Sequence, residues 1–215
     1  MCYSFESSIR SWFIALISSL FLLAISKNIT QSIWISAFTL TFTQIQIIEA
    51  LIWKSIEDNN TNLNNIVKYI PLLLWCQPFV QCLFGYINTK NQYLLYLSLI
   101  YLFIIFVEMQ TDDKYSVDIS KDNHLIWRRN RNNKSIFILG DYNVYPYLYL
   151  FGLFAPLFFI NNNNILTKVG LLGTAVISFM YSLQYSKDEF NSMWCYTAVS
   201  YIIVANVAEI MTSYL

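Results

Sequence analysis

The feature that most constrains the fold is a series of long apolar runs separated by short polar connectors. A helix needs about 20 predominantly apolar residues to cross the hydrocarbon core of a bilayer. The 215-residue chain holds seven candidate runs, at residues 11–26, 33–53, 66–87, 91–107, 145–160, 165–183 and 194–213. The pattern predicts an all-α fold, a polytopic transmembrane helix bundle that forms a single domain over residues 1–215.

The composition supports a membrane as the surrounding solvent. Hydrophobic residues make up 56 % of the chain and charged residues only 12 %, whereas soluble domains carry about 25 % charged residues. The formal net charge is zero, which gives no indication of a nucleic-acid partner. The lipid bilayer is therefore the predicted partner, and the sequence identifies no protein partner.

The number of crossings depends on three of the runs. The first, fourth and fifth are short, but interfacial Tyr, Trp and Arg residues can extend each of them. The first begins near Phe5 if the Arg10 side chain reaches the headgroup region. Seven spans is the prediction, and six spans is the alternative, with the fourth or fifth helix failing to cross.

One long connector, residues 108–144, is predicted to lie outside the membrane. Within it, Tyr115, Val117 and Ile119 alternate with polar residues, and a turn at residues 121–123 leads into a second β-rich run at 124–127. Alternation, turn residues and a second run predict a small β-hairpin.

Positive charge predicts the orientation of the chain. Six of the 13 Lys and Arg residues lie in this connector, and with seven spans ten of the 13 lie on the side of the N-terminus. Cytoplasmic loops carry an excess of Lys and Arg. We therefore predict a cytoplasmic N-terminus and connector, and an extracytoplasmic C-terminus.

Polar residues within the spans gather at one end of the bundle. Phe42, Gln46, Glu49 and Trp53 share one stripe of helix 2 and approach the cytoplasmic end. Carboxylates within a membrane span are costly and often functional. With seven spans, the predicted ligand-binding cluster at this end consists of Cys2, Gln46, Glu49, Trp53, Trp194 and Cys195. Glu209 lies at the opposite end.

Two further patterns favour contacts between helices. Gln77 and Gln81 lie one turn apart on helix 3, where hydrogen bonding to other helices is favoured over a pore lining. Gly170, Thr174 and Ser178 make one side of helix 6 small, which suits close helix packing.

Three short motifs carry a resemblance to a family. The chain opens with Met-Cys-Tyr-Ser at residues 1–4, helix 2 carries Gln46-x-x-Glu49-x-x-x-Trp53, and a late Trp194-Cys195 element follows. This resembles an uncharacterised family of short multi-pass membrane proteins of bacteria and large DNA viruses. Tyr3 stands where the family usually has Trp. The resemblance implies a membrane protein, with a virus among its possible sources, and no activity.

The favoured function is binding of a small ligand, lipid or ion in the predicted cluster. An intramembrane metal-dependent hydrolase is an alternative, with Cys2, Glu49, His124 and Cys195 as metal ligands. Zinc hydrolases usually use several His, and this chain has one. We therefore lean against an enzyme and predict no cofactor, with zinc as the weaker alternative. Helix 7 contains no lysine, so it cannot bind retinal as a Schiff base.

A structural or membrane-organising role is the third class. Trp127, Arg128, Arg129 and Arg131 are candidates for contact with anionic lipid headgroups, because they mix aromatic and basic side chains beside the bilayer. An ordinary cytoplasmic loop is basic by rule and accounts for the same pattern.

Overall fold

The computed structural model describes residues 4–59, 66–110, 115–129, 134–135, 144–160, 165–184, 194, 197 and 199–214. Within these residues the chain is predominantly helical. The helices are α1 (Phe5–Ile25), α2 (Ile29–Glu57), α3 (Ile70–Thr89), α4 (Gln92–Met109), α5 (Val144–Phe154), α6 (Ile165–Ser182) and α7 (Val199–Tyr214). A 3-10 helix, Ala155–Phe159, continues α5.

Five helical segments are long and apolar enough to cross a membrane, and one of them is α3 together with the 3-10 turn at residues 66–69 that precedes it. They are Phe5–Ile25, Ile29–Glu57, Ile66–Thr89, Gln92–Met109 and Ile165–Ser182. Two shorter apolar segments, Tyr147–Phe159 and Val199–Met211, correspond to the predicted fifth and seventh spans. The helical fold class is therefore confirmed, and five segments meet the requirements of length and hydropathy for a span.

The helix ends follow from local capping chemistry. The Ser4 hydroxyl accepts from the Ser7 backbone N–H at 3.2 Å and caps α1. The Asn28 side chain accepts from the Gln31 N–H at 3.2 Å, so α2 begins four residues before the predicted boundary. Asn91 caps α4 in the same way, through the Tyr93 N–H at 2.9 Å. Side-chain caps satisfy the backbone N–H groups of the first helical turn, which have no partner within the helix. A prediction from apolar runs alone does not locate these caps.

Helix α2 lies at the centre and packs against α1, α3 and α7, while α3 also packs against α4 and α5. The Phe38 and Tyr201 rings and the Phe42 and Trp194 rings meet, each pair with centroids 5.6 Å apart. Trp194 precedes α7 and lies beside Phe42, whereas Tyr201 comes later in the chain and lies beside Phe38, nearer the start of α2. Helices α2 and α7 therefore run in opposite directions. At the far end, the Lys27 backbone N–H donates to Glu209 Oε1 at 2.8 Å.

Proline interrupts two neighbouring helices, α3 and the segment that contains α5. Pro78 lies inside α3, and Pro156 ends α5 and begins the 3-10 turn. Proline has no N–H and its ring crowds the carbonyl four residues earlier. The Gly152 carbonyl, four residues before Pro156, instead accepts from the Cys82 thiol at 3.7 Å. The two interrupted helices therefore depend on each other for hydrogen bonds.

The predicted hairpin in the long connector is present. Strand β1 (Tyr115–Ile119) pairs antiparallel with β2 (Leu125–Arg129), and a short third strand, β3 (Lys134–Ser135), pairs with β2. His124, Leu125, Ile126 and Trp127 are all buried. Because successive strand residues point to opposite faces, this burial means that both faces of β2 are covered.

We expect Gly152→Ala to destabilise the fold. A Cβ at Gly152 would lie 2.6 Å from Pro78 Cβ and would also collide with the Tyr101 ring. Overpacking of this kind costs about 1–3 kcal/mol. Thermal unfolding of the purified protein in detergent measures the effect. Gly173→Ala is the matched control, because nothing lies within 4 Å of its Cβ position, and equal stability of the two variants would contradict the expected packing.

Candidate functional site

The α2 stripe predicted from the sequence faces the interior of the bundle. Gln46 and Glu49 are fully buried and Trp53 is 7 % exposed. Gln46 Nε2 donates to Glu49 Oε2 at 3.0 Å. This hydrogen bond gives the buried Glu49 carboxylate one partner, and a buried polar group without a hydrogen bond costs free energy. The stripe is thus a packed polar face, whose binding role stays a prediction.

Trp194 is the centre of an aromatic cluster that joins the α2 stripe to two other helices, α5 and α6. Its ring meets Phe42 of α2 at 5.6 Å, Phe154 of α5 at 6.3 Å and Phe179 of α6 at 5.2 Å between centroids. Its Nε1 donates to Ser178 Oγ at 3.3 Å. Edge-to-face and stacked pairs of this kind contribute about 0.5–1.5 kcal/mol each beyond burial. The indole is therefore fixed in orientation by contacts on several sides.

A cavity of about 30 Å³ lies against Trp194 and is partly open. Five aromatic side chains form much of its wall, and the rest is mostly aliphatic. The lining residues are Phe38, Thr39, Phe42, Leu153, Phe154, Leu157, Ala175, Ser178, Trp194 and Tyr201. One water molecule needs about 10–15 Å³, so the cavity accepts a small apolar group with the helices as they stand. We call this space the aromatic crevice.

Two glutamines of α3 hold the interrupted helix in place beside the crevice. Gln81 Oε1 accepts from Trp34 Nε1 at 2.9 Å, and its Nε2 donates to the Leu153 carbonyl at 3.2 Å. Gln77 donates to the Phe42 carbonyl at 3.4 Å and accepts from the Tyr149 hydroxyl. The interpretation of Gln77 and Gln81 as hydrogen-bonding links between helices is confirmed.

The remaining predicted site residues fall in different places. His124 is fully buried and Trp127 is 2 % exposed, with Trp127 part of the hydrophobic core. Arg128 and Arg129 belong to β2. Cys2, Cys195 and Arg131, and the side chains of Arg128 and Arg129, lie outside the described residues. The hypothesis that Trp127, Arg128, Arg129 and Arg131 contact lipid headgroups stays a prediction.

The proposed metal ligands receive no support from the described side chains. Among those side chains, no group of three or more His, Cys, Asp and Glu residues lies close enough together to hold a metal ion. Glu49 and His124 are described, whereas Cys2 and Cys195 are not. Two of the four proposed zinc ligands therefore lie outside the described part of the chain, and the zinc alternative stays untested.

No protein-family model matches the sequence, and no curated protein or solved structure matches it either. The functional argument therefore rests on this chain's own chemistry and geometry. The motif resemblance to short multi-pass membrane proteins stays a prediction.

Of the ten residues that line the crevice, the sequence patterns singled out Phe42, Ser178 and Trp194, and the other seven were missed. Phe154 and Leu157 flank Pro156. Tyr201 and Ala175 belong to helices in which hydropathy does not distinguish the residues that line a cavity from the other apolar residues. Two signals were present: a proline inside a short apolar run, and Ser178 on the small side of helix 6. The interpretation of that small side is confirmed, because a Cβ at Gly170 would lie 3.0 Å from the Val204 side chain of α7.

We expect Gln81→Leu to destabilise the protein more than Trp34→Phe. The first change leaves both the Trp34 N–H and the Leu153 carbonyl without their partner, at about 1–3 kcal/mol for a buried group. The second removes only one donor. A double-mutant cycle, followed by thermal unfolding, should give a coupling energy of about 0.6–1.7 kcal/mol.

The exposed Gln92→Leu change serves as the control for loss of an amide. If the coupling energy between Gln81 and Trp34 is zero, their hydrogen bond does not contribute to the stability of the helix contact.

Proposed function

We propose that this chain is an integral membrane protein that crosses the bilayer seven times and binds a hydrocarbon segment of a lipid in the aromatic crevice. The observation that carries the binding proposal is the cavity itself. It is lined by five aromatic rings and lies within a bundle whose outer surface is apolar.

The outer surface of the bundle supports membrane insertion. Large apolar side chains on several helices are widely exposed, including Ile17 at 63 %, Phe103 at 66 % and Ile177 at 69 %. Monomeric soluble proteins rarely leave contiguous apolar patches of more than a few hundred Å² in water. Lipid acyl chains solvate such side chains without cost, so the exposed surface is explained by a bilayer.

The direction of the helices supports seven crossings. Gln77 meets Tyr149 and Gln81 meets the Leu153 carbonyl, so α5 runs in the same direction as α3. The contact between Lys27 and Glu209 places the far end of α7 beside the turn between α1 and α2. Together α5 and its 3-10 extension are about 27 Å long at the usual rise per residue, close to the 30 Å hydrocarbon core.

We expect cysteine labelling to separate the two ends of the bundle. In a background with the native cysteines replaced by serine, Lys121→Cys should react with an impermeant reagent only from the cytoplasm. Lys27→Cys and a C-terminal tag should be reached only from the opposite side. A tag on the same side as Lys121→Cys would support six crossings and contradict the proposed topology.

The chemistry of the crevice favours hydrocarbon over a polar ligand. Its few polar groups include the Ser178 hydroxyl and the Trp194 N–H, which are bonded to each other. Sites for polar ligands present a few convergent unsatisfied donors and acceptors, and these two groups have already satisfied one another. In a membrane, the abundant apolar group of matching width is a lipid acyl chain.

We expect Ala175→Phe to block lipid binding, because its ring would occupy the crevice that Ala175 lines. The protein is reconstituted in nanodiscs with a phospholipid that carries a photoreactive diazirine near the end of one acyl chain. Cross-linked peptides from α6 are then quantified by mass spectrometry. Labelling of the crevice wall should fall about tenfold, which corresponds to about 1.4 kcal/mol of lost affinity.

Val176→Phe is the matched control, since Val176 is a neighbour of Ala175 on α6 and is 45 % exposed on the outer surface. It adds the same ring without filling the crevice and should leave labelling of the crevice wall unchanged. Equal labelling in the wild type and both variants would show that lipid contacts only the outside of the bundle.

The cytoplasmic orientation, the family resemblance and the hydrolase alternative remain separate proposals. Orientation is supported by the basic connector. The hydrolase alternative uses Cys2, Glu49, His124 and Cys195 as metal ligands, and both cysteines lie outside the described residues. Binding is the better supported function, because the aromatic crevice is a cavity with a defined apolar wall, whereas the described side chains hold no group of His, Cys, Asp and Glu that could bind a metal ion.

A further inference from the structure

A group of buried polar side chains lies at the end of the bundle opposite the predicted cytoplasmic cluster. Gln31 is 3 %, Asn206 8 % and Glu209 6 % exposed. They belong to α2 and α7, beside the turn that joins α1 to α2. Buried polar groups in a membrane span are costly and often mark ion or substrate sites. The function proposed above makes no use of these residues.

From helix geometry we infer that Gln31 lies at the level of Glu209. Phe38 of α2 meets Tyr201 of α7 with ring centroids 5.6 Å apart. Gln31 lies seven residues before Phe38, two helical turns away on the same stripe. Because α2 and α7 run in opposite directions, two turns forward from Tyr201 reach Ala208 and Glu209. The Glu209 carboxylate already contacts the start of α2 through the Lys27 backbone N–H, at 2.8 Å.

Two of these side chains present carbonyl oxygens that lack hydrogen-bond donors. Asn206 Nδ2 donates to the Ser18 carbonyl at 3.0 Å, which fixes the orientation of its amide. Asn206 Oδ1 and Gln31 Oε1 are both buried and have no hydrogen-bond partner among the described residues. Leaving a buried acceptor unsatisfied costs about 1–3 kcal/mol. Asn206 lies three residues before Glu209 on α7, and Gln31 lies four residues after Lys27, so both unpartnered oxygens belong to the same end of the bundle as the carboxylate.

A small cation satisfies such a region better than another protein group does. Amide and carboxylate oxygens cannot bond to one another without a proton or a metal ion between them. Oxygen ligands from helices and their carbonyls coordinate Na⁺ in membrane transporters. One carboxylate and two neutral amides as ligands suit a monovalent ion better than a divalent ion, whose protein sites use ligand sets richer in carboxylates.

We propose that Gln31, Asn206 and Glu209 form a binding site for a small monovalent cation of the size of Na⁺, which links α2 and α7 beside the turn between α1 and α2. This site is independent of the aromatic crevice, because none of its residues lines that cavity. Binding there would tie the last helix to the first two.

The test is the thermal unfolding of the purified full-length protein in NaCl, KCl and choline chloride at equal ionic strength. Na⁺ should raise the midpoint by about 3 °C or more relative to choline, since an ion that binds only the folded state stabilises it by mass action. Glu209→Gln and Gln31→Leu should each abolish the difference. Glu57→Gln, an exposed carboxylate outside the site, should retain it.

A variant with a changed ion preference keeps the proposal testable if Glu209→Gln and Gln31→Leu fold poorly. Gln31→Glu places a second carboxylate in the site, so Ca²⁺ should now stabilise the protein more than Na⁺ does. Midpoints that are equal in all three salts, or a sodium effect that survives in Glu209→Gln and Gln31→Leu, would overturn the proposal. Absence of any calcium response in a folded Gln31→Glu variant would do the same.

Discussion

The hydrogen bonds that α3 makes to the proline-interrupted α5 are the interactions on which the arrangement around the crevice depends. Pro156 removes a donor and leaves the Gly152 carbonyl without its helical partner, in the contact between α3 and α5. Cys82, Gln81 and Gln77 supply side-chain partners to this segment. Without them, the short α5 could not lie beside α3 with its backbone groups satisfied.

That constraint also shapes the space that we propose for lipid. Because α5 changes to a tighter 3-10 turn at Ala155–Phe159, its far end diverges from a regular helical path, and Leu153, Phe154 and Leu157 face the opening between α2, α6 and α7. Trp194 closes one side of that opening through contacts to three helices. The crevice is thus a consequence of an interrupted helix packed against intact ones.

The polar groups within the bundle divide into two kinds. Gln77, Gln81 and Trp34 satisfy one another or a neighbouring carbonyl and hold helices together. Gln31 and Asn206 keep carbonyl oxygens with no hydrogen-bond partner in the described part of the chain, and this difference motivates a cation site at one end only. Satisfied buried groups contribute specificity to the fold, whereas each unsatisfied one calls for an explanation, of which a bound ion is one.

The sequence by itself determined the helical class, most helix positions, the hairpin, the buried stripe at Gln46 and Glu49, and the glutamine links, because apolar length and helical or strand periodicity are local properties. Only the tertiary structure decided that Trp194 meets Phe42, that α5 breaks beside α3, and that the Lys27 N–H meets Glu209. Each of these contacts joins residues far apart in the chain. Which faces meet depends on how seven similarly apolar helices pack, and hydropathy does not distinguish those arrangements.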